Sequence, residues 1–122
     1  MDARLFVYGT LKDERSLGAI LAGVTEWRWL GPATIGGRLY DAGSYPALLL
    51  SHDPAERVAG HILEVRDAAA AFQALDEYEG VDEGLYARRE VEVECSDRTR
   101  MTAWVYVYTC PVTGFRRVDE WP

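Results

Sequence analysis

The sequence predicts an α+β fold: a small mixed, strongly curved β-sheet or β-barrel with two flanking helices. Three observations lead there. Segments with strand character outnumber those with helical character, and only two stretches suit a helix. The order of segments is irregular. Neither a period-based repeat nor a Gly/Ser linker interrupts the 122 residues, so residues 1–122 read as one domain. The pattern alone leaves open whether the sheet closes.

Taken in order, Arg4 to Tyr8 is a short buried strand that breaks at Gly9. Glu14 to Gly23 reads as a helix, with Leu17, Ile20, Leu21 and Val24 at i, i+3, i+4 and i+7. Gly18 weakens it and Gly23 stops it. Trp27 to Leu30 and Ala33 to Tyr40 read as two strands broken at Gly31-Pro32. A turn-rich stretch from Asp41 to Pro46 precedes a strand over Ala47 to Leu50. After the loop 51–56 comes a strand from Val58 to Val65. Asp67 can cap a second helix, Ala68 to Tyr78, and an acidic loop follows from Gly80 to Gly84. Glu90 to Cys95 alternates between glutamates and apolar residues, as a half-buried strand does. The stretch Met101 to Thr109 is apolar on both faces, which places it centrally in the sheet. The tail 111–122, with Phe115 and Trp121, reads as packed coil.

Composition narrows the function classes. Hydrophobic residues make up 48%, which excludes a disordered chain. The net charge of −7 repels phosphate backbones and anionic membrane surfaces, so neither nucleic acid nor membrane is an expected partner. Two cysteines, Cys95 and Cys110, make no disulfide framework and read as reduced, buried thiols, with a bridge between them the alternative that the sequence leaves open. Without an apolar run of membrane-spanning length or a signal-peptide pattern at the N-terminus, the expected location is cytoplasmic. Oligomeric state is not legible.

The most informative segment is L75-D76-E77-Y78-E79-G80. Phe72, Leu75 and Glu79 share one helix face, whereas Glu77 points nearly the opposite way. The stripe holding Phe and Leu is the one a helix buries, so Glu79 should go inward with them. Loss of water and the negative end of the helix dipole would both raise its pKa. A carboxyl tuned upward suits a general base near neutral pH. The plain alternative is a solvated or ion-paired surface glutamate, and a phase shift of the helix would exchange Glu79 with Glu77.

Other candidates are weaker alone. The turn at Gly9 after a buried strand exposes backbone N–H groups able to hold an anion or oxyanion. Tyr8, Tyr45, Tyr86 and Tyr106 can wall a pocket and orient a ligand, though each is otherwise a packing residue. Arg88 can hold a carboxylate or pair with a nearby acid. No metal site is expected, because His52 and His61 have no ligand neighbours at suitable spacing. A nucleophilic triad is unsupported as well.

Together, V7-Y8-G9-T10-L11, G36-G-R-L-Y40, Y45-P46-A47-L48, L75-D76-E77-Y78-E79-G80, Y86-A87-R88 and A103-W104-V105-Y106 resemble the γ-glutamylcyclotransferase-like superfamily. The order and spacing match over nearly the whole chain. Its short length looks closest to the γ-glutamylamine cyclotransferase branch and small bacterial relatives. The resemblance implies a small mixed barrel with flanking helices, and a pocket roofed by the loop after the first strand. It implies that Glu79 is the catalytic acid/base, and that backbone N–H groups of Gly9, Thr10 and Leu11 hold the γ-glutamyl part. Tyr8, Tyr45, Tyr86, Arg88 and Tyr106 complete the candidate substrate site. The implied reaction releases 5-oxoproline and an amine or amino acid, with no cofactor, because nucleophile and electrophile belong to one small-molecule substrate. Two competing readings are a non-catalytic carboxylate-binding module on the same scaffold and a purely structural protein.

Overall fold

The computed structural model describes residues 2–9, 14–43 and 45–119. Nine elements follow in order: β1 (Ala3–Val7), α1 (Glu14–Leu21), β2 (Trp27–Asp41), β3 (Pro46–Leu50), β4 (Arg57–Val65), α2 (Ala68–Tyr78), β5 (Tyr86–Cys95), β6 (Arg100–Tyr108) and β7 (Arg116–Val118).

The sheet closes. Strands β2, β4, β1, β6 and β5 lie side by side, and β5 returns to β2 through Ala33–Cys95 and Thr34–Glu94. The result is a closed five-stranded barrel. It is mixed, because β1 runs parallel to β6 at Leu5–Trp104 while its other neighbour, β4, is antiparallel. Strands β3 and β7 flank the far end of β2, outside the ring. The apolar β6 sits between β1 and β5, as its two-sided hydrophobicity predicts.

Strand alternation sorts the core into two layers. Phe6, Tyr8, Ile35, Val58, Ile62, Val93 and Val105 pack together inside the barrel. Leu5, Val7, Leu63 and Val65 point outward, where Leu17 and Leu21 of α1 and Ala71, Phe72 and Leu75 of α2 cover them. Gly60 makes room for the inner layer. A Cβ there would lie 2.6 Å from the Phe6 ring.

Several expectations need correction. Trp27 to Asp41 is one strand, and Gly31-Pro32 does not break it. Leu30 is instead an extra residue opposite β4, between the pairs Trp29–Leu63 and Gly31–Ile62. Such a bulge re-aims side chains. Before it, Trp27 and Trp29 pack on the helix side; after it, Ala33 and Ile35 point into the barrel. Gly31 takes the positive φ of 131°, and pairing with β5 begins only at Ala33, beyond Pro32. Strand β5 starts at Tyr86, not Glu90, because its ladder with β6 runs from Tyr86–Tyr108 onward. The tail holds a strand, β7, rather than coil alone; Trp121 lies outside the described residues. Cys95 and Cys110 are both free, but Cys95 is only half-buried and Cys110 is exposed. No helix among the described residues is long and apolar enough to cross a membrane.

Candidate active site

Helix α2 is fixed at both ends by local chemistry. The Asp67 carboxylate accepts the Ala70 N–H at 3.1 Å, capping the start. At the other end Gly80 adopts φ +68°. Its N–H donates to the Glu77 carbonyl at 3.2 Å, and the Val81 N–H reaches the Asp76 carbonyl at 3.0 Å. That pair of bonds is the Schellman stop, which needs a residue free of the Cβ penalty at the left-handed position. Glu79 thereby becomes the last residue of the turn, with its N–H on the Leu75 carbonyl at 2.9 Å. Phe72 and Leu75 are buried, Glu79 is half-buried and Glu77 is exposed, in the phase the periodicity predicts.

Glu79 looks into a cavity of about 290 Å³ where the two core layers meet. Phe6, Val7, Tyr8 and Gly9 form one wall. Tyr45 and Pro46 form the second, and Tyr78, Glu79, Leu85, Tyr86 and Tyr106 the rest. Among the described residues, none offers the Glu79 carboxyl a hydrogen bond or an ion pair. Burial pushes its pKa up to about 7. Tyr8, Tyr86 and Tyr106 are pushed up too, first by burial and in part by the charge of Glu79.

The walls are held by side-chain bonds from distant parts of the chain. Tyr8 Oη donates to the backbone carbonyl of Tyr106 at 2.5 Å. Tyr86 Oη donates to the Pro46 carbonyl. Pro46 also packs on Gly9, where a Cβ would lie 2.6 Å from the ring. Close approach at Gly9 thus serves Pro46 as well as any ligand. The Tyr45 and Tyr86 rings meet edge to face at 6.4 Å.

Of the residues singled out in the sequence, Glu79, Tyr8, Gly9, Tyr45, Tyr86 and Tyr106 come together around this cavity. Arg88 does not. Its guanidinium grips Asp76, with Nε to Oδ1 at 3.1 Å and Nη2 to Oδ2 at 3.2 Å. It lies over the Phe72 ring at 4.0 Å and near Trp104 at 5.0 Å, in a separate groove of about 900 Å³. Arg88 is therefore in the ion pair that was the alternative to ligand binding. Thr10 and Leu11 lie outside the described residues. Sequence reasoning missed Asp76, which accepts the Tyr106 hydroxyl at 2.6 Å. The available signal was its place one turn before Glu79 and one turn after Phe72.

Residues 5–121 match the family described as gamma-glutamyl cyclotransferase, AIG2-like. No curated protein matches the chain. Among solved structures, an AIG2-like protein from Mus musculus superposes with a TM-score of 0.83 at 21% identity, over 99% of this chain and 88% of that one. A gamma-glutamyl cyclotransferase gives 0.74 at 17% identity, over 96% and 70%. An uncharacterized protein, PH0828, from Pyrococcus horikoshii gives 0.63 at 22% identity, over 96% and 86%. At such identities these likenesses speak to the fold, and the family match covers almost every residue of it. The chain belongs to the gamma-glutamyl cyclotransferase, AIG2-like family.

Proposed function

We propose that the protein is a cyclotransferase that converts a γ-glutamyl amine or γ-glutamyl amino compound into 5-oxoproline and the free amine. One observation carries the reading. A carboxyl without a hydrogen-bond or ion-pair partner among the described residues, its pKa pushed up to about 7 by burial, lines a small cavity together with Gly9. A base that ionises near the working pH combines a useful ionised fraction with useful basicity.

The reaction needs little else. Glu79, ionised, takes a proton from the α-ammonium of the substrate. The freed amine attacks its own γ-carbonyl carbon and closes a five-membered ring. The family resemblance gives the γ-glutamyl part to backbone N–H groups at Gly9 and at Thr10 and Leu11, the last two outside the described residues. Glu79 returns its proton to the leaving nitrogen. The oxyanion then re-forms the carbonyl and expels the protonated leaving nitrogen as the amine; the ring nitrogen loses its extra proton to the same carboxylate, which passes it on, so the amine departs as its ammonium form. The protein contributes a bent, near-attack substrate and a proton carrier. The two free thiols fit a reducing, cytoplasmic setting.

The test is a panel of γ-glutamyl amino acids, γ-glutamyl polyamines and γ-glutamyl-ε-lysine, read by 5-oxoproline formation. Release from at least one member, stoichiometric with free amine, is expected. Silence across the panel would count against the reading.

A further inference from the structure

Three of the tyrosine hydroxyl protons around the cavity are already spoken for. The partner of Tyr106 Oη is the Asp76 carboxylate, that of Tyr8 Oη is a backbone carbonyl, and so is that of Tyr86 Oη. Carbonyls and carboxylates only accept, so in each bond the tyrosine must donate. A phenol has a single proton. Once it is committed, only lone pairs are left for a ligand.

Tyr106 is the one of the three whose acceptor is a side chain rather than a backbone carbonyl. It is the cross-strand partner of Arg88, so both side chains stand on the same face of the β5–β6 ladder. Helix α2 lays Asp76 over that pair. Both Tyr106 Oη and Arg88 Nε donate to Asp76 Oδ1, and Arg88 Nη2 donates to Oδ2. The bidentate guanidinium, stacked on Phe72 and Trp104, fixes the carboxylate. Arg88 itself is not among the described residues that line the cavity, and neither is any other Lys or Arg.

We propose that Tyr106 is a substrate-binding residue whose oxygen accepts a hydrogen bond from the ammonium of the ligand, and that Asp76, held by Arg88, is the positioning residue that enforces this polarity. The proposal rests on the γ-glutamyl reading and sharpens it. The described wall around Glu79 selects a cationic nitrogen and offers no side-chain cation to a carboxylate.

The experiment compares two ligands on the full chain, L-glutamine and glutaramate, which lacks only the α-ammonium. Binding is followed by NMR titration of the wild type, Tyr106→Phe and Asp76→Ala. The wild type should prefer L-glutamine by about tenfold or more, the range for a hydrogen bond to a charged group. Tyr106→Phe should cut that preference severalfold, the remainder being due to Glu79, while leaving glutaramate affinity unchanged. Asp76→Ala, if it folds, should do the same, because the freed Tyr106 proton can turn toward the ligand. Equal weakening of both ligands in Tyr106→Phe would mean a merely structural tyrosine and would overturn the proposal. So would a wild type that prefers neither ligand, even if it releases 5-oxoproline, in which case the cyclotransferase reading would survive alone. Ammonium preference that depends on Tyr106, without turnover of any γ-glutamyl compound, would support the proposal and remove the cyclotransferase reading. A wild type that binds neither and turns over nothing sinks both.

Discussion

Glu79→Gln is expected to lower 5-oxoproline formation by ~10²–10⁴-fold, the usual contribution of a positioned general base. Glutamine keeps the size and polarity of the side chain but cannot take up the α-ammonium proton. The carboxyl makes no hydrogen bond to the described residues, so the substitution breaks no bond among them. What it removes is the one group among the described cavity-lining residues whose pKa is moved to about 7. The measurement is kcat on an active γ-glutamyl compound, alongside urea unfolding to show that the variant is folded. A folded variant with near-wild-type kcat would strip Glu79 of its role.

The same substitution should stabilise the protein in a pH-dependent way. In the unfolded chain Glu79 ionises near 4.5; in the folded chain, at about 7. Below the lower value both states hold the proton, and the group costs the fold nothing. As pH rises between the two values, the unfolded state releases its proton first, so stability falls. Above the upper value the full penalty stands, up to about 3 kcal/mol for a pKa difference of this size. Urea unfolding should therefore show Glu79→Gln and wild type nearly equal at about pH 4 and the variant more stable at about pH 8. Equal stability at the higher pH would mean that the folded carboxyl is as well hydrated as the unfolded one. A stabilising change that abolishes turnover is the trade expected of a functional site.

How much of this was legible in the sequence follows from which forces are local. The phase of α2 was readable because burial of Phe72 and Leu75 sets it, and Gly80 sets its stop; both lie within a few residues of Glu79. Closure of the barrel was not readable from periodicity. It depends on Ala33–Cys95 and Thr34–Glu94, two pairs between segments some sixty positions apart, and alternation says nothing about which strands meet. Gly31-Pro32 reads locally as a break. The ladder to β4 carries β2 across it by spending one residue, Leu30, on a bulge. The first half of β5 was hidden for a different reason. Arg88 and Arg89 look like loop residues, yet Arg88 is sheltered because Asp76 and two rings cover its charge. Asp76 escaped notice because a carboxylate on the edge of an apolar stripe looks solvated unless its partners on β5 and β6 are known.

The proposed chemistry turns on when a single carboxyl gives up its proton. Labelling the glutamate side-chain carboxyl carbons with ¹³C and assigning Glu79 by its absence in Glu79→Gln allows that event to be followed directly by NMR in the free protein. A titration midpoint near pH 7 is the result expected from its burial in the cavity. A midpoint near 4.5, the value of an ordinary exposed glutamate, would contradict the central claim.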